Sequence, residues 1–400
     1  MFKPSYMKEN LDWSREYVAL QKLNKLNNPK KLALAAQKAP NEKIRAAAME
    51  RLTDQAVLFE IAKNGTKLSV RRMAVEKLTD QAALFELAKD DPELSVRETA
   101  VEKLTDQAAL AELAKTHSTW ETRKAAVKKL TDQTVIADIF RNETDRVVRC
   151  KAAELLTDQA LLSEAALHDT DYFIRMAVVK NLTDQAVIAK VSTKDKDRDI
   201  RLAAVKKLTD QAVLTQIVRS DPYRDRLRAA PDKEALYAAF KEIFDRDWQG
   251  KLDPFWKVRE AAVVKLTDQT MLQEIAELDN ALSVRAAAVR CLTDQAVLER
   301  VARIGYSYSE RLAAVEKVNN ESVLADVVIH DPDYQVPRAA VKKLTDQDLL
   351  YRVAKESSDS WVRIYALNQL TDVERIRDIR FHDPDEDVRS AAHQRWMELP

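Results

Sequence analysis

The chain has 400 residues, more than one hydrophobic core of roughly 250–300 residues accommodates, so several domains or an array of repeats are expected. Hydrophobic residues make up 46% and charged residues 32%, as in folded proteins, and only 3 glycines argue against hairpins, Rossmann turns and phosphate-binding loops. The 65 basic and 65 acidic side chains cancel, which counts against a strongly basic nucleic-acid-binding protein.

The N-terminal segment, residues 1–25, contains no apolar run of the length that a secretory signal needs. Its stretch from Leu11 to Leu23 has helical periodicity and predicts a capping helix. No window of the chain is apolar enough to predict a membrane span. Cys150 and Cys291 lie too far apart in sequence to indicate a disulfide framework. We therefore expect a cytoplasmic protein that has no membrane partner.

A 26-residue repeat dominates the remaining sequence. The string LTDQ begins every 26 residues from Leu52 to Leu208, and it returns at Leu266, Leu292 and Leu344. Each unit predicts a helix A of about nine residues, a turn at the Leu-Thr pair, a helix B of about ten residues and a polar link. In one such unit, Thr79 is the predicted N-cap of helix B. Helices this short are marginal alone, so neighbouring units must stack to bury their apolar faces.

The predicted fold is therefore all-α: one continuous α-solenoid, or superhelix, of stacked two-helix repeats with a 26-residue period. A first block of repeats covers residues 26–220, and a second block covers residues 258–380. Between them, residues 221–257 break the period and predict an aberrant repeat or insert, either a binding insert or a hinge. Residues 381–400 match half a repeat and predict a C-terminal cap.

The order of residues in one unit, Asp-Pro, then Val-Arg and Ala-Ala-Val before the repeat leucine, resembles that of HEAT-like repeats. The short period is also similar to that of the leucine-rich-repeat variant, a bacterial array of short stacked helices. The resemblance covers about residues 24–396. It implies a curved surface on which other macromolecules bind, and it leaves the partner undefined.

Polar residues recur at three positions of the unit. An arginine lies seven residues before the repeat leucine and an aspartate two residues after it, as at Arg71 and Asp80. We interpret this pair as an Arg–Asp ladder that bonds successive units, since a residue kept in every unit serves stacking. Lysines just before the leucine, such as Lys77 and Lys129, suit the end of helix A or, alternatively, form a phosphate-binding stripe. Pro337 replaces the arginine once and predicts a local break.

Large aromatic residues vary from unit to unit at the entrance to helix A, ten residues before the repeat leucine. Tryptophan, tyrosine and arginine anchor many protein interfaces, which makes this position a candidate binding edge. The alternative is that each ring packs over a neighbouring loop. The candidates are Trp120, Tyr172, Trp256, Tyr308 and Tyr334, together with Tyr237 and Trp248 from the aperiodic segment.

A second candidate surface is an acidic row on helix B, eight residues after the repeat leucine. Such a row is suited to a basic protein partner. The alternative is a solvated face, on which each acid pairs with the basic residue three positions later in its own helix. The row consists of Glu60, Glu86, Glu112, Asp138 and Glu164.

These patterns predict a non-enzymatic scaffold for an unidentified protein partner, with no cofactor and no metal. The five histidines are scattered, and no nucleophile is paired with a base. Two alternatives stay open: a nucleic-acid-binding HEAT-like protein that uses the lysine stripe, and an enzyme subunit or a protein that handles a small molecule or cofactor. Nucleic acid is the less favoured partner, and the pattern defines no oligomeric state.

Overall fold

The computed structural model of the chain describes residue 21, residues 23–246 and residues 255–399. Within these ranges, the regular structure consists of 28 complete α-helices and one short 3-10 helix, and strands are absent. The helices follow one another in packed pairs, which confirms the predicted all-α solenoid. Clustering of contacts divides the chain into two compact units, one ending at Leu182 and the other beginning at Thr183.

In the first unit, helices of type B and type A alternate along the chain. Each helix B packs on the helix A that follows it, and successive A helices pack on each other. The helices are α1 (Pro29–Lys38), α2 (Glu42–Arg51), α3 (Gln55–Asn64), α4 (Leu68–Lys77), α5 (Gln81–Asp90), α6 (Leu94–Lys103), α7 (Gln107–Thr116), α8 (Trp120–Val127), α9 (Gln133–Asn142), α10 (Arg146–Leu155), α11 (Gln159–His168) and α12 (Tyr172–Asn181).

The second unit has the same alternation, interrupted by two helices that do not belong to it, α16 and α17. Its helices are α13 (Gln185–Lys194), α14 (Arg198–Lys207), α15 (Gln211–Val218), α16 (Arg224–Arg228), α17 (Lys233–Arg246), α18 (Trp256–Val263), α19 (Gln269–Leu278), α20 (Leu282–Cys291), α21 (Gln295–Ile304), α22 (Tyr308–Val315), α23 (Glu321–His330), α24 (Gln335–Ala340), the 3-10 helix Val341–Lys343, α25 (Gln347–Glu356), α26 (Ser360–Gln369), α27 (Val373–His382) and α28 (Glu386–Glu398).

The turn between helix A and helix B is built by the LTDQ string. Leu78 ends helix α4 with extended backbone and is fully buried. The carboxylate of Asp80 accepts hydrogen bonds from the backbone N–H groups of Ala82 (2.9 Å) and Ala83 (3.4 Å), so Asp80 is the N-cap of α5. The prediction that Thr79 caps this helix was wrong. A carboxylate is an equally good cap, and its negative charge suits the positive end of the helix.

The glutamine of the LTDQ string joins one repeat to the following repeat. The Gln55 side chain donates to the carbonyl of Lys77 (3.4 Å) and accepts from the backbone N–H (2.8 Å) and hydroxyl (3.1 Å) of Thr79. The threonine therefore binds the preceding repeat rather than its own helix. The same two-sided bridge recurs at Gln107, Gln133, Gln185 and Gln347.

A ladder of arginine–carboxylate pairs exists, but its acid is not the predicted aspartate of the LTDQ string, and each ion pair lies within one repeat rather than between successive repeats. The guanidinium of Arg71 pairs with Asp91, which lies in the link after helix B, and Arg71 Nε donates to the carbonyl of Ala62 (2.7 Å). Asp80 is unsuited to this role because it caps its own helix. The same spacing of 20 residues gives the pairs Arg123–Glu143, Arg149–Asp169, Arg259–Asp279, Arg311–Asp331 and Arg363–Asp383.

Pro337 lies within the short helix α24, whose last turn is replaced by the 3-10 helix Val341–Lys343. Because proline has no N–H group and a fixed φ angle, it disturbs regular helical hydrogen bonding. The next residue, Arg338, provides the guanidinium instead, and its Nε lies 2.8 Å from the carboxylate of Asp359. The predicted local break is confirmed.

Helices α15 and α18 stack as direct neighbours, although 37 residues separate them. The Gln211 side chain donates to the carbonyl of Lys265 (3.1 Å) and accepts from the hydroxyl of Thr267 (3.3 Å), as in the other units. Gln211 and Lys265 are 54 residues apart, whereas the equivalent residues are elsewhere 22 apart, so 32 residues are inserted. The inserted helices α16 and α17 form a small core of Leu227, Phe240 and Ile243.

Candidate functional site

The acidic row lies on exposed or half-buried positions of helix B in the first unit, and three of its members form ion pairs between repeats. Each partner is a lysine of the preceding helix B, 23 residues earlier. The pairs are Lys63–Glu86 (2.6 Å), Lys89–Glu112 (2.8 Å) and Lys115–Asp138 (2.5 Å). The predicted pairing within one helix was wrong for these lysines, because their side chains reach along the stack to the neighbouring helix.

The two ends of the acidic row differ from its middle. Glu60 accepts a hydrogen bond from the Asn64 side chain (3.0 Å), and Glu164 is exposed. In the middle, the ammonium of Lys115 lowers the pKa of Asp138, and the carboxylate of Glu86 raises the pKa of Lys63. The row therefore carries less uncompensated negative charge than its sequence indicates.

The lysines of the proposed phosphate-binding stripe are engaged in stacking. Each ammonium donates to carbonyl groups in the last turn of helix A in the preceding repeat, where the regular helical hydrogen bonds end. The bonds run from Lys77 to Met49 (2.8 Å), from Lys129 to Val101 (3.1 Å), from Lys265 to Lys206 (2.8 Å) and from Lys343 to Val315 (2.9 Å). Burial lowers the pKa of Lys129, Lys265 and Lys343.

In the first unit, the predicted aromatic residues stand at the start of helix A. Trp120 begins α8 and is exposed, and the ammonium of Lys124 lies 5.7 Å from its ring. Tyr172 begins α12 and is half-buried, with its ring edge-on to that of Phe173 at 5.2 Å. Phe173 is 52% exposed and was missed from the sequence. The available signal was a large apolar residue one position after the predicted edge.

In the second unit, the exposed aromatic residues continue along successive repeats. Tyr308 begins α22, and Tyr334 directly precedes α24 with 63% of its surface exposed. Trp361 in α26, 40% exposed, was also missed, because it lies nine rather than ten residues before its leucine. The predicted Trp256 is half-buried at the start of α18.

A guanidinium connects two of these rings. The Arg338 guanidinium carbon lies 5.5 Å from the ring centre of Tyr334 and 5.1 Å from that of Trp361. Tyr365 stacks on Trp361 at 5.4 Å, and the ammonium of Lys342 lies 5.9 Å from the same ring. We call Tyr334, Arg338, Lys342, Trp361 and Tyr365 the aromatic–basic cluster. Of the two predicted residues in the inserted segment, Trp248 and the side chain of Tyr237 lie outside the described part of the chain.

The insert begins at Asp221, which occupies the link position that pairs with an arginine in other repeats. Here the buried carboxylate accepts hydrogen bonds from the backbone N–H groups of Tyr223 (2.8 Å) and Asn280 (2.9 Å). Burial and the nearby negative charge of Asp279 raise the pKa of Asp221 to about 6, although Arg259 opposes the shift. Asp221 thus fastens the start of the insert to the link after α19.

Arg201 would be the ladder partner of Asp221 at the 20-residue spacing. Its Nε is buried and has no hydrogen-bond partner among the described residues, while its Nη1 donates to the carbonyl of Asp195 (2.7 Å). The Arg201 guanidinium carbon lies 4.3 Å from the ring centre of Phe255. Burial lowers the pKa of Arg201. The insert therefore exchanges one rung of the ladder for a cation–π contact.

Within the described ranges, no three histidine, cysteine, aspartate or glutamate side chains are grouped as metal ligands. A search of the described helices for an apolar stretch long enough to cross a bilayer found none.

No protein-family model matches the sequence, and no curated protein matches it. Among solved structures, the chain is similar to a Kap121p mutant, with a TM-score of 0.43 and 14% identity over 96% of this chain and 52% of that one. It is also similar to Kap95p in a complex with RanGDP, with a TM-score of 0.33 and 11% identity over 92% of this chain and 60% of that one. The chain thus spans between half and two thirds of these two proteins. Its own paired helices make it an all-α helical repeat protein.

Proposed function

We propose that the chain is a non-catalytic scaffold that binds a protein partner through the aromatic–basic cluster of the second unit. The observation that carries the proposal is the exposure of Tyr334 and Trp361 next to the Arg338 guanidinium. Large aromatic residues and arginine contribute most of the binding energy in protein interfaces. The pairing of Arg338 with Asp359 balances the guanidinium charge, so a partner meets apolar area without burying an unpaired ion.

The alternative partner, nucleic acid, is less favoured by the same contacts. A phosphate-binding stripe needs ammonium groups that point to solvent, whereas Lys77, Lys129 and Lys343 already donate to backbone carbonyls. The second alternative, a protein that handles a small molecule, draws on a different part of the second unit.

We also propose a repeat type and a cellular location for this chain. The 26-residue period supports assignment to the leucine-rich-repeat variant of short stacked helices. The thiols of Cys150 and Cys291 are both free, which supports a reducing, cytoplasmic environment. Burial raises the pKa of both thiols, so neither is activated as a nucleophile.

Capture from a lysate of the source cell, with variants of the immobilised chain, tests this proposal. The double variant Tyr334→Ala/Trp361→Ala removes both rings from the cluster, and Phe381→Ala is the matched control because Phe381 is equally exposed in the same unit. We expect specific proteins to be retained by the wild-type chain and the control, and about tenfold less by the double variant. The captures are compared by quantitative mass spectrometry after nuclease treatment.

Two results would contradict the proposal. Equal retention by the double variant and the control would show that the aromatic–basic cluster is not the binding surface. Loss of all retained material on nuclease treatment would identify nucleic acid as the partner, and the affinity should then fall steeply with salt concentration.

A further inference from the structure

A cleft of about 440 Å³ lies beside the inserted segment in the second unit. Leu227, Leu236 and Phe240 of the insert form one wall, and Val301 and Ile304 of α21 form the other. Sites for small molecules have volumes of roughly 300–1,000 Å³ and mainly apolar walls. The insert thus adds an apolar cleft of ligand size to the stack of repeats.

Arg285 lines this cleft, and its guanidinium is incompletely bonded. Its side chain is 1% exposed. Nε donates to the carboxylate of Glu310 (2.6 Å), and Nη1 donates to the carbonyl of Asp279 (2.5 Å). Nη2 is buried and has no hydrogen-bond partner among the described residues. An unpaired buried donor is destabilising, so this N–H group favours any acceptor that reaches it.

The missing acceptor has a specific origin in the sequence. The residue 20 positions after Arg285, where other repeats carry the carboxylate of the ladder, is Gly305. Gly305 also lines the cleft, so the absence of a side chain both opens the cleft and leaves Nη2 without its usual partner. A Cβ atom at this position would lie 2.7 Å from the carbonyl oxygen of Val301.

Arg97 shows how another repeat without the ladder carboxylate completes the same arrangement. Its residue at 20 positions is His117, and there Nε donates to the hydroxyl of Thr122 (3.1 Å) while Nη2 reaches the hydroxyl of Thr119 (3.5 Å). Thr122 follows Arg97 by 25 residues, as Glu310 follows Arg285. Of the hydrogen bonds that Arg97 makes in this arrangement, the one from Nη2 is therefore the one that has no equivalent at Arg285.

The charge around Arg285 decides which acceptor fits. The buried carboxylate of Glu310 already balances the guanidinium. The rings of Phe240 and Tyr306 lie 4.2 Å and 5.2 Å from the guanidinium carbon, where they stabilise its charge but offer no lone pair in its plane. A ligand carboxylate would bring a second buried negative charge beside Glu310, which is costly. A neutral carbonyl oxygen adds no charge.

We propose that the cleft binds an uncharged, mainly apolar small molecule whose amide or ketone oxygen accepts a hydrogen bond from Arg285 Nη2. The site goes beyond the proposed protein-binding function and is separate from the aromatic–basic cluster. At the rim, Arg228 pairs with Glu274 and Arg300 with Glu277, and the Asp232 carboxylate accepts from the backbone N–H of Ala235. Both rim arginines are thus engaged, so the rim does not favour an anionic ligand.

Three probes of equal chain length test the chemistry of the site on the full chain: octanamide, octanoate and octylamine. Binding is measured by isothermal titration calorimetry at pH 7.5. We expect octanamide to bind at least tenfold more tightly than octanoate or octylamine, since it alone combines an acceptor with zero charge. The absence of octanamide binding, or tighter binding of octanoate, would overturn the proposal.

Substitution of Gly305 tests the position of the ligand oxygen. Gly305→Asp puts a side chain into the cleft at the position where other repeats carry their carboxylate, so it should block the cleft and weaken octanamide binding at least tenfold. Gly65→Asp is the matched control, because Gly65 occupies the same position of a repeat in the first unit, away from the insert. It should leave octanamide binding unchanged.

A second variant keeps the test decisive if Gly305→Asp does not fold. Ile304→Glu places a charge on the apolar wall at a residue that is already half exposed, and it should also abolish octanamide binding. Tyr334→Ala/Trp361→Ala should bind octanamide like the wild type, which separates failure of this site from failure of the protein-binding proposal. Unchanged affinity in both Gly305→Asp and Ile304→Glu would place the probe elsewhere and refute the site.

Discussion

The buried rungs of the arginine ladder should contribute far more to stability than the exposed ion pairs beside them. In the first unit, Arg71–Asp91 ties helix A to the link at the end of the same repeat, whereas Lys63–Glu86 joins two neighbouring repeats. The side chains of the first pair are 10% and 2% exposed, whereas those of the second are 51% and 45% exposed. Asp91→Ala leaves the Arg71 guanidinium buried without its counter-charge, a change that costs about 3–5 kcal/mol.

The variant Asp91→Ala also removes the acceptor of the Glu93 N–H group (2.9 Å), so the loss should fall in the upper half of that range. The double variant Arg71→Met/Asp91→Asn removes both charges, and it should lose about 2–3 kcal/mol less than the sum of its single variants. Lys63→Ala should leave stability unchanged within error, because solvent and salt screen this pair.

Urea unfolding followed by circular dichroism at 222 nm measures these differences. Hydrogen exchange of α4 and α5 assigns the loss to the altered repeats, since repeat arrays open locally. If Asp91→Ala unfolds within about 0.5 kcal/mol of Lys63→Ala, the guanidinium is solvated in the native state and the reasoning from burial is wrong.

Two further predictions concern the turns and the insert. Asp80→Ala should destabilise the first unit by about 1 kcal/mol through loss of the N-cap, whereas Asp80→Asn should be nearly neutral; urea midpoints that do not separate the two variants would contradict the capping role. Asp221 has a pKa of about 6 in the folded chain against 3.8 for the free side chain. Its favourable contribution to the free energy of unfolding is therefore complete below pH 3.8 and is lost as the pH rises through 6, by at most about 3 kcal/mol. The difference in unfolding free energy between wild type and Asp221→Asn, measured from pH 4 to 8, should follow this curve, and a carboxyl titration by NMR with a midpoint near 4 would refute it.

Period and composition were sufficient to predict the class of fold, because each unit repeats the same local instructions. Leu78 and its equivalents had to be buried, and Pro337 had to disturb its helix, whatever the detail of stacking. The partners of the polar residues were harder to predict. Asp80 lies in the turn after Thr79, and Asp91 lies in the following link. Whether each carboxylate caps a helix or pairs with an arginine depends on distances between residues that are far apart in sequence.

The candidate surfaces were predicted only in part for the same reason. Position in the unit correctly indicated that Tyr308 and Tyr334 are exposed, yet Phe173 and Trp361 lie one residue outside the predicted register. The lysines appeared free in sequence because the carbonyls that bind them, such as that of Met49, belong to the backbone of another repeat. A side chain that donates to a backbone carbonyl requires no particular residue type at the partner position. The sequence therefore contains no sign of such a contact.

The bridge from Gln211 to Lys265 has a consequence for how such a chain can change over evolutionary time. Because the bridge forms with an adjacent helix whatever the length of chain between them, the interface keeps this bridge across 32 extra residues and exchanges only the Arg201 rung of the ladder. Chain closure over an added segment costs only about 0.6 kcal/mol per doubling of its length. The links between repeats are therefore permissive points at which new segments can be acquired, tried and lost, while the neighbouring repeats keep their register.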